Sequence, residues 1–117
     1  MKTIVSTPNA PSSPLYSQGV IAGPYLFVSG MTGVGETSGP AGSTIQEQTK
    51  RALGNCLAIV EAGGFTIADI VQVTVLLARP EDFAGMNEAY GDFFRSDPPA
   101  RAVTRLGPEI PGCWCRS

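Results

Sequence analysis

The chain has 117 residues, with 8 Lys and Arg against 10 Asp and Glu, a net charge of −2. That length fits one domain spanning residues 1–117 and leaves no room for separate cofactor and substrate domains. Hydrophobic residues at 43% against 15% charged exclude a disordered chain. Histidine is absent, which excludes every His-based catalyst and every His-ligated metal site.

No run of Lys and Arg marks a nucleic-acid partner, and no apolar stretch of about 20 residues marks a membrane span. The three cysteines, Cys56, Cys113 and Cys115, are an odd number without a secretory signal. They read as reduced thiols of a cytoplasmic protein. Cys113 and Cys115 form a lone C-x-C with no second pair, so no metal site is expected. The low charge content favours association of copies, which would cover apolar surface.

In chain order, residues 2–6 predict a short edge strand, followed by a loop fixed by Pro8, Pro11 and Pro14. Residues 20–22 and 25–29 flank Gly23-Pro24 and predict a hairpin. Residues 30–42, rich in glycine, predict a long exposed loop. A helix begins at Ser43 or Thr44, where Thr44-Ile45-Gln46-Glu47 matches a capping box. Ile45, Thr49, Ala52, Cys56, Ile59 and Val60 recur at helical spacing, and Gly63-Gly64 ends the helix with a left-handed residue. Cys56 lies on that apolar stripe and reads as a core residue. Residues 69–78, rich in Val, Ile and Leu, predict a nearly continuous and therefore central strand. Pro80 opens a second helix marked by Phe83, Met86, Asn87, Tyr90, Phe93 and Phe94. Asp97-Pro98-Pro99 stops it, and residues 102–106 form a last strand. The strand–helix–strand units predict an α+β fold with helices on one face of a mixed sheet.

The polar candidates are few. Arg101 follows the rigid Pro98-Pro99-Ala100 and opens a strand. Its guanidinium can grip a carboxylate through two parallel hydrogen bonds, or sit in a surface salt bridge. Tyr16, in Pro14-Leu15-Tyr16-Ser17-Gln18-Gly19, can face a cleft or plug the core. Asn87 on the apolar face of the second helix satisfies a buried backbone group or lines a pocket. Ser29-Gly30 ends a strand, and Gly30 permits close approach of a ligand to the main chain. The glycines at 30, 33, 35 and 39 lack the Gly-Lys-Ser/Thr of a phosphate-binding loop. Glu81-Asp82 fits the first turn of a helix, where acids complement the helix dipole.

Six segments in order resemble the RidA (YjgF) family of reactive-intermediate deaminases. They are Tyr16-Ser17-Gln18-Gly19, Val28-Ser29-Gly30, Gln48-Thr49 through Asn55, Glu61-Ala62-Gly63-Gly64, Met86-Asn87-Glu88-Ala89-Tyr90 and Pro99-Ala100-Arg101. The resemblance implies a chorismate-mutase-like α+β fold of the bacterial trimeric type, with two helices on one face of a mixed sheet. It implies a homotrimer with clefts between subunits. It also implies hydrolysis of 2-imino acids, in exchange with enamines, to 2-keto acids and ammonia, with a small imino or keto acid as partner and no cofactor or metal. Some members carry an endoribonuclease label; without His or a basic patch, that reading ranks third.

By position, the resemblance implies that Arg101 binds the substrate carboxylate and that Tyr16 serves the chemistry in the cleft. Ser29 and Gly30 would form part of the wall, and Asn87 would lie near the mouth. Val103 stands where the family often has Cys, so its backbone N–H is the group expected to bind. The segment 113–117 departs from the pattern: Arg116 stands where the family has a Glu thought to position the water. That departure sustains a second reading, a non-catalytic trimeric binder of small carboxylates.

Overall fold

The computed structural model describes residues 1–32 and 44–105. Strands β1 (Lys2–Val5), β2 (Gly19–Ala22) and β3 (Tyr25–Val28) form an antiparallel sheet in that order. The β2–β3 connection is the expected tight turn. Gly23 has φ of +61° and Pro24 a negative φ fixed by its ring, a pairing that suits the right-handed twist of a two-residue hairpin.

Alternation gives this sheet two unlike faces. On one face Val5, Ile21, Leu26 and Val28 pack with Met31, Ile59 and Cys56. On the other, the register aligns Ile4, Val20 and Phe27 in one row across the three strands. Ile4 and Phe27 are exposed there.

Helix α1 (Ile45–Ala62) starts as the capping pattern predicts, with the Thr44 hydroxyl accepting from the Glu47 N–H. It closes at Gly63, with Gly64 in the left-handed region at φ +87°. Its buried residues include Thr49, Ala52, Ile59 and Val60, as expected, and also Leu53 and Asn55. Leu53 belongs to one core cluster and Ile59 to the other, so α1 is the spine that joins them. Asn55 is buried because its side-chain N–H donates to the Thr32 carbonyl at 3.3 Å.

Strand β4 (Gln72–Leu77), helix α2 (Phe83–Phe93) and strand β5 (Ala100–Arg105) form a crossover unit, with β5 parallel to β4. A 3₁₀ turn, Pro80–Asp82, leads into α2. Asp82 pairs there with Arg79 at 3.3 Å. Val75, Leu77, Met86, Tyr90, Phe94 and Leu53 make the larger core cluster, and α2 packs against α1.

One expectation for β4 requires correction. The strand begins at Gln72, because residues Ile67–Asp69 form a 3₁₀ turn in which the Asp69 carboxylate accepts from the Thr66 N–H at 2.8 Å. Val75 and Leu77 are buried while Gln72, Thr74 and Leu76 are exposed, because the helices cover one side alone. Among the described residues β4 pairs with β5. Parallel and antiparallel pairing with two helices nonetheless give the expected α+β architecture. No described helix is long and apolar enough to cross a membrane. The glycine-rich loop beyond residue 32, Cys113, Cys115 and Arg116 lie outside the described residues.

Candidate active site

The side chains singled out in the sequence fall into two groups. The first is built on the β4–α2–β5 unit. The rigid Pro98-Pro99 segment delivers Arg101 as the second residue of β5. Period-two alternation turns Arg101 and Val103 to the same face. Val103 packs against the larger core and pairs with Val75 of β4.

Arg101 reaches across to α2. Its Nη1 donates to Asn87 Oδ1 at 2.7 Å, and its guanidinium carbon lies 4.8 Å from the centre of the Tyr90 ring, within cation–π range. Asn87 and Tyr90 are three residues apart and therefore share one helix face. The Arg101 side chain is exposed, and among the described residues no carboxylate pairs with it. The salt-bridge alternative for this Arg is thus not what the described residues show. Among the described residues, two neutral groups hold the cation and no carboxylate compensates its charge.

Tyr90 reads in the sequence as a helix and motif residue and was not among its site candidates. Its spacing from Asn87 on the helix stripe was the available signal. The ring is buried at 6% exposure, and its hydroxyl finds no hydrogen-bond partner among the described residues. Burial raises the phenol pKa above its ordinary value, and the neighbouring Arg101 charge pulls it back.

The second group is built on the three-stranded sheet. Tyr16 sits in the β1–β2 loop beside a cavity of about 390 Å³ that is bounded by Ile4, Thr7, Ser13 and Gln18 among others. It is 41% exposed, a cleft-facing rather than a core position. Ser29 follows β3 and donates its hydroxyl hydrogen to the Ser17 carbonyl. A Cβ built on Gly30 would meet nothing within 4 Å among the described residues. Within one chain, Arg101, Asn87 and Val103 come together on one unit, while Tyr16, Ser29 and Gly30 gather on the other. Cys56 takes no part in either: burial pushes its thiol up to about 11.

A family model described as endoribonuclease L-PSP matches residues 7–109. A RutC family protein of Pyrococcus horikoshii is 39% identical over 116 residues, covering 94% of this chain and 91% of that protein. The human 2-iminobutanoate/2-iminopropanoate deaminase is 38% identical over 108 residues, covering 91% and 79%. The solved structure of Escherichia coli TdcF with bound serine superposes with a TM-score of 0.83 at 34% identity, covering 89% of this chain and 85% of that one. The chain therefore belongs to the endoribonuclease L-PSP family, the RidA (YjgF) family whose motifs it carries from Tyr16 to Arg101.

Proposed function

We propose that the protein is a deaminase that hydrolyses 2-imino acids and their enamine tautomers to 2-keto acids and ammonia, with Arg101 holding the substrate carboxylate. The observation that carries this reading is an exposed guanidinium fixed by the Asn87 amide and the Tyr90 ring, with no carboxylate partner among the described residues. Such a cation is preorganised for an incoming carboxylate through its remaining N–H groups. Two facts about relatives support it: the human relative is named a 2-iminobutanoate/2-iminopropanoate deaminase, and TdcF was crystallised with serine, an amino acid with its own carboxylate.

In the reaction, water adds its oxygen to the imine carbon while a proton reaches the imine nitrogen. The resulting carbinolamine loses ammonia as its C–N bond breaks and the C=O forms. Arg101 orients the substrate for that addition. Tyr16 supplies a hydroxyl able to donate or accept at the reacting water.

A site containing both residues is completed between copies of the chain. The row Ile4, Val20 and Phe27 gives the sheet a second apolar face on which the described residues leave Ile4 and Phe27 exposed, and the Tyr16 cavity borders it through Ile4. With the trimer that the family resemblance implies, this supports clefts that lie between the subunits of a homotrimer. Light scattering tests this directly, and a monomer would remove the clefts.

The decisive assay generates 2-iminopropanoate with an amino-acid oxidase and traps the residual imine with semicarbazide. Wild type should abolish most of the trapped product, and Arg101→Ala should leave it undiminished, a loss of roughly a hundredfold or more if the carboxylate anchor is removed. Equal trapping with both proteins would instead favour the carboxylate-binding reading, which Arg116 at the family's Glu position keeps in contention. RNA cleavage that survives Arg101→Ala and further purification would revive the nuclease reading, which the −2 charge and lack of His disfavour.

A further inference from the structure

Gln18 directly precedes β2 and is 3% exposed, so its primary amide is buried where an apolar side chain would ordinarily sit. Every polar atom of that amide is engaged with the main chain of the loop that carries Tyr16. Its Oε1 accepts from the Thr7 N–H at 2.7 Å. Its Nε2 donates to the carbonyls of Thr7, Ala10 and Pro11 at 3.1, 3.0 and 2.9 Å. Two amide hydrogens serve three acceptors, so one is shared.

The other side of the same segment is held from β3. The Ser29 N–H donates to the Gln18 carbonyl at 2.9 Å, and the Ser29 hydroxyl donates to the Ser17 carbonyl. Residues 17 and 18, which directly follow Tyr16, are therefore clamped between the loop 7–11 and the end of β3. A connection as long as 6–18 between paired strands would otherwise carry a large conformational entropy. An apolar residue at 18 could fill the space but could not tie positions 7, 10 and 11 to position 18.

We infer that Gln18 is a positioning residue: its buried amide, with the Ser29 hydroxyl, fixes the loop that presents Tyr16 to the site. The inference rests on the deaminase reading for its catalytic consequence, and not for its structural one. Ser29 accordingly acts through Ser17, since its one hydroxyl hydrogen is already committed there.

The test incorporates 3-fluorotyrosine and follows the fluorine resonances of the three tyrosines, Tyr16, Tyr25 and Tyr90, assigned by Tyr→Phe substitution. In Gln18→Leu, the Tyr16 resonance should move toward its position in urea while those of Tyr25 and Tyr90 stay in place. Imine hydrolysis should fall roughly tenfold in kcat with KM changed less than about twofold, because Arg101 still holds the carboxylate while Tyr16 is misplaced. An unmoved Tyr16 resonance in folded Gln18→Leu would overturn the inference. If all three resonances collapse, Ser29→Ala decides: a selective Tyr16 shift supports the clamp, and no shift refutes it. If wild type itself hydrolyses no imine while Gln18→Leu moves Tyr16 selectively, the deaminase reading falls and the clamp stands.

Discussion

The antiparallel and parallel halves of this molecule hold their site residues by opposite means. In the β1–β2–β3 half, the polar anchor is inside: a fully engaged amide at Gln18 organises the main chain around it, and Tyr16 is carried passively on the result. In the β4–α2–β5 half, the polar group is outside. Arg101 is exposed, and the buried groups beneath it are an aromatic ring and an otherwise apolar cluster. The difference follows from connectivity. A long loop between hairpin-like neighbours needs an internal tie to lose its freedom, whereas a strand entering from Pro98-Pro99 is already restricted. A charge must also stay near solvent to remain ready for a ligand, while a neutral amide can be buried once all its hydrogen bonds are made.

The largest expected effects come from breaking each half at its core. Ile59 and Met86 are both fully buried, one in each cluster. Each change to Ala should cost about 2–5 kcal/mol in denaturant unfolding. Hydrogen exchange should separate them: Ile59→Ala should loosen amides of β1–β3 first, and Met86→Ala those of β4 and β5. Uniform loosening by both would show that α1 couples the halves into one cooperative unit.

A smaller loss, about 1–3 kcal/mol, is expected of Gly19→Ala. The added Cβ would sit 2.8 Å from Ile59 Cγ2, with Leu26 and Val5 at 3.2 and 3.3 Å. The crowding should again register in β1–β3 by hydrogen exchange while β5 stays protected.

The antiparallel half also carries a pH dependence. The Cys56 thiol has an ordinary pKa of 9.0 and is held at about 11 by burial. Between those values the unfolded chain gives up this proton and the folded chain keeps it. Stability should therefore fall as pH rises from 9 to 11, by about 2 kcal/mol from this group. Cys56→Ala should remove that part of the slope, and identical slopes in both proteins would refute the assignment. The smallest effect is expected at the helix both halves share. Thr44→Ala deletes the cap that accepts from Glu47 N–H and should cost about 1 kcal/mol in thermal or denaturant unfolding.

Much of the fold was legible because its signals are local. The Gly23-Pro24 turn, the Thr44 cap and the left-handed Gly64 each depend on a few adjacent residues. Arg101 and Asn87 were legible as candidates through rigid neighbours and a polar break in an apolar stripe. What failed was β4. Its strand starts at Gln72 and not at residue 69, because the Asp69 carboxylate closes a 3₁₀ turn that a run of Val and Ile does not reveal.

The sequence by itself determined most of the elements, the exclusion of histidine chemistry and the family, through six motifs in order. Tertiary structure alone decided that Arg101 meets Asn87 at 2.7 Å across a separation of fourteen residues. It also decided that Tyr90 underlies that cation and that Gln18 is buried among carbonyls. Hydrogen bonds and ring contacts act over a few ångströms in space, and residues that meet across a crossover or a long loop leave no spacing in the chain by which to read them.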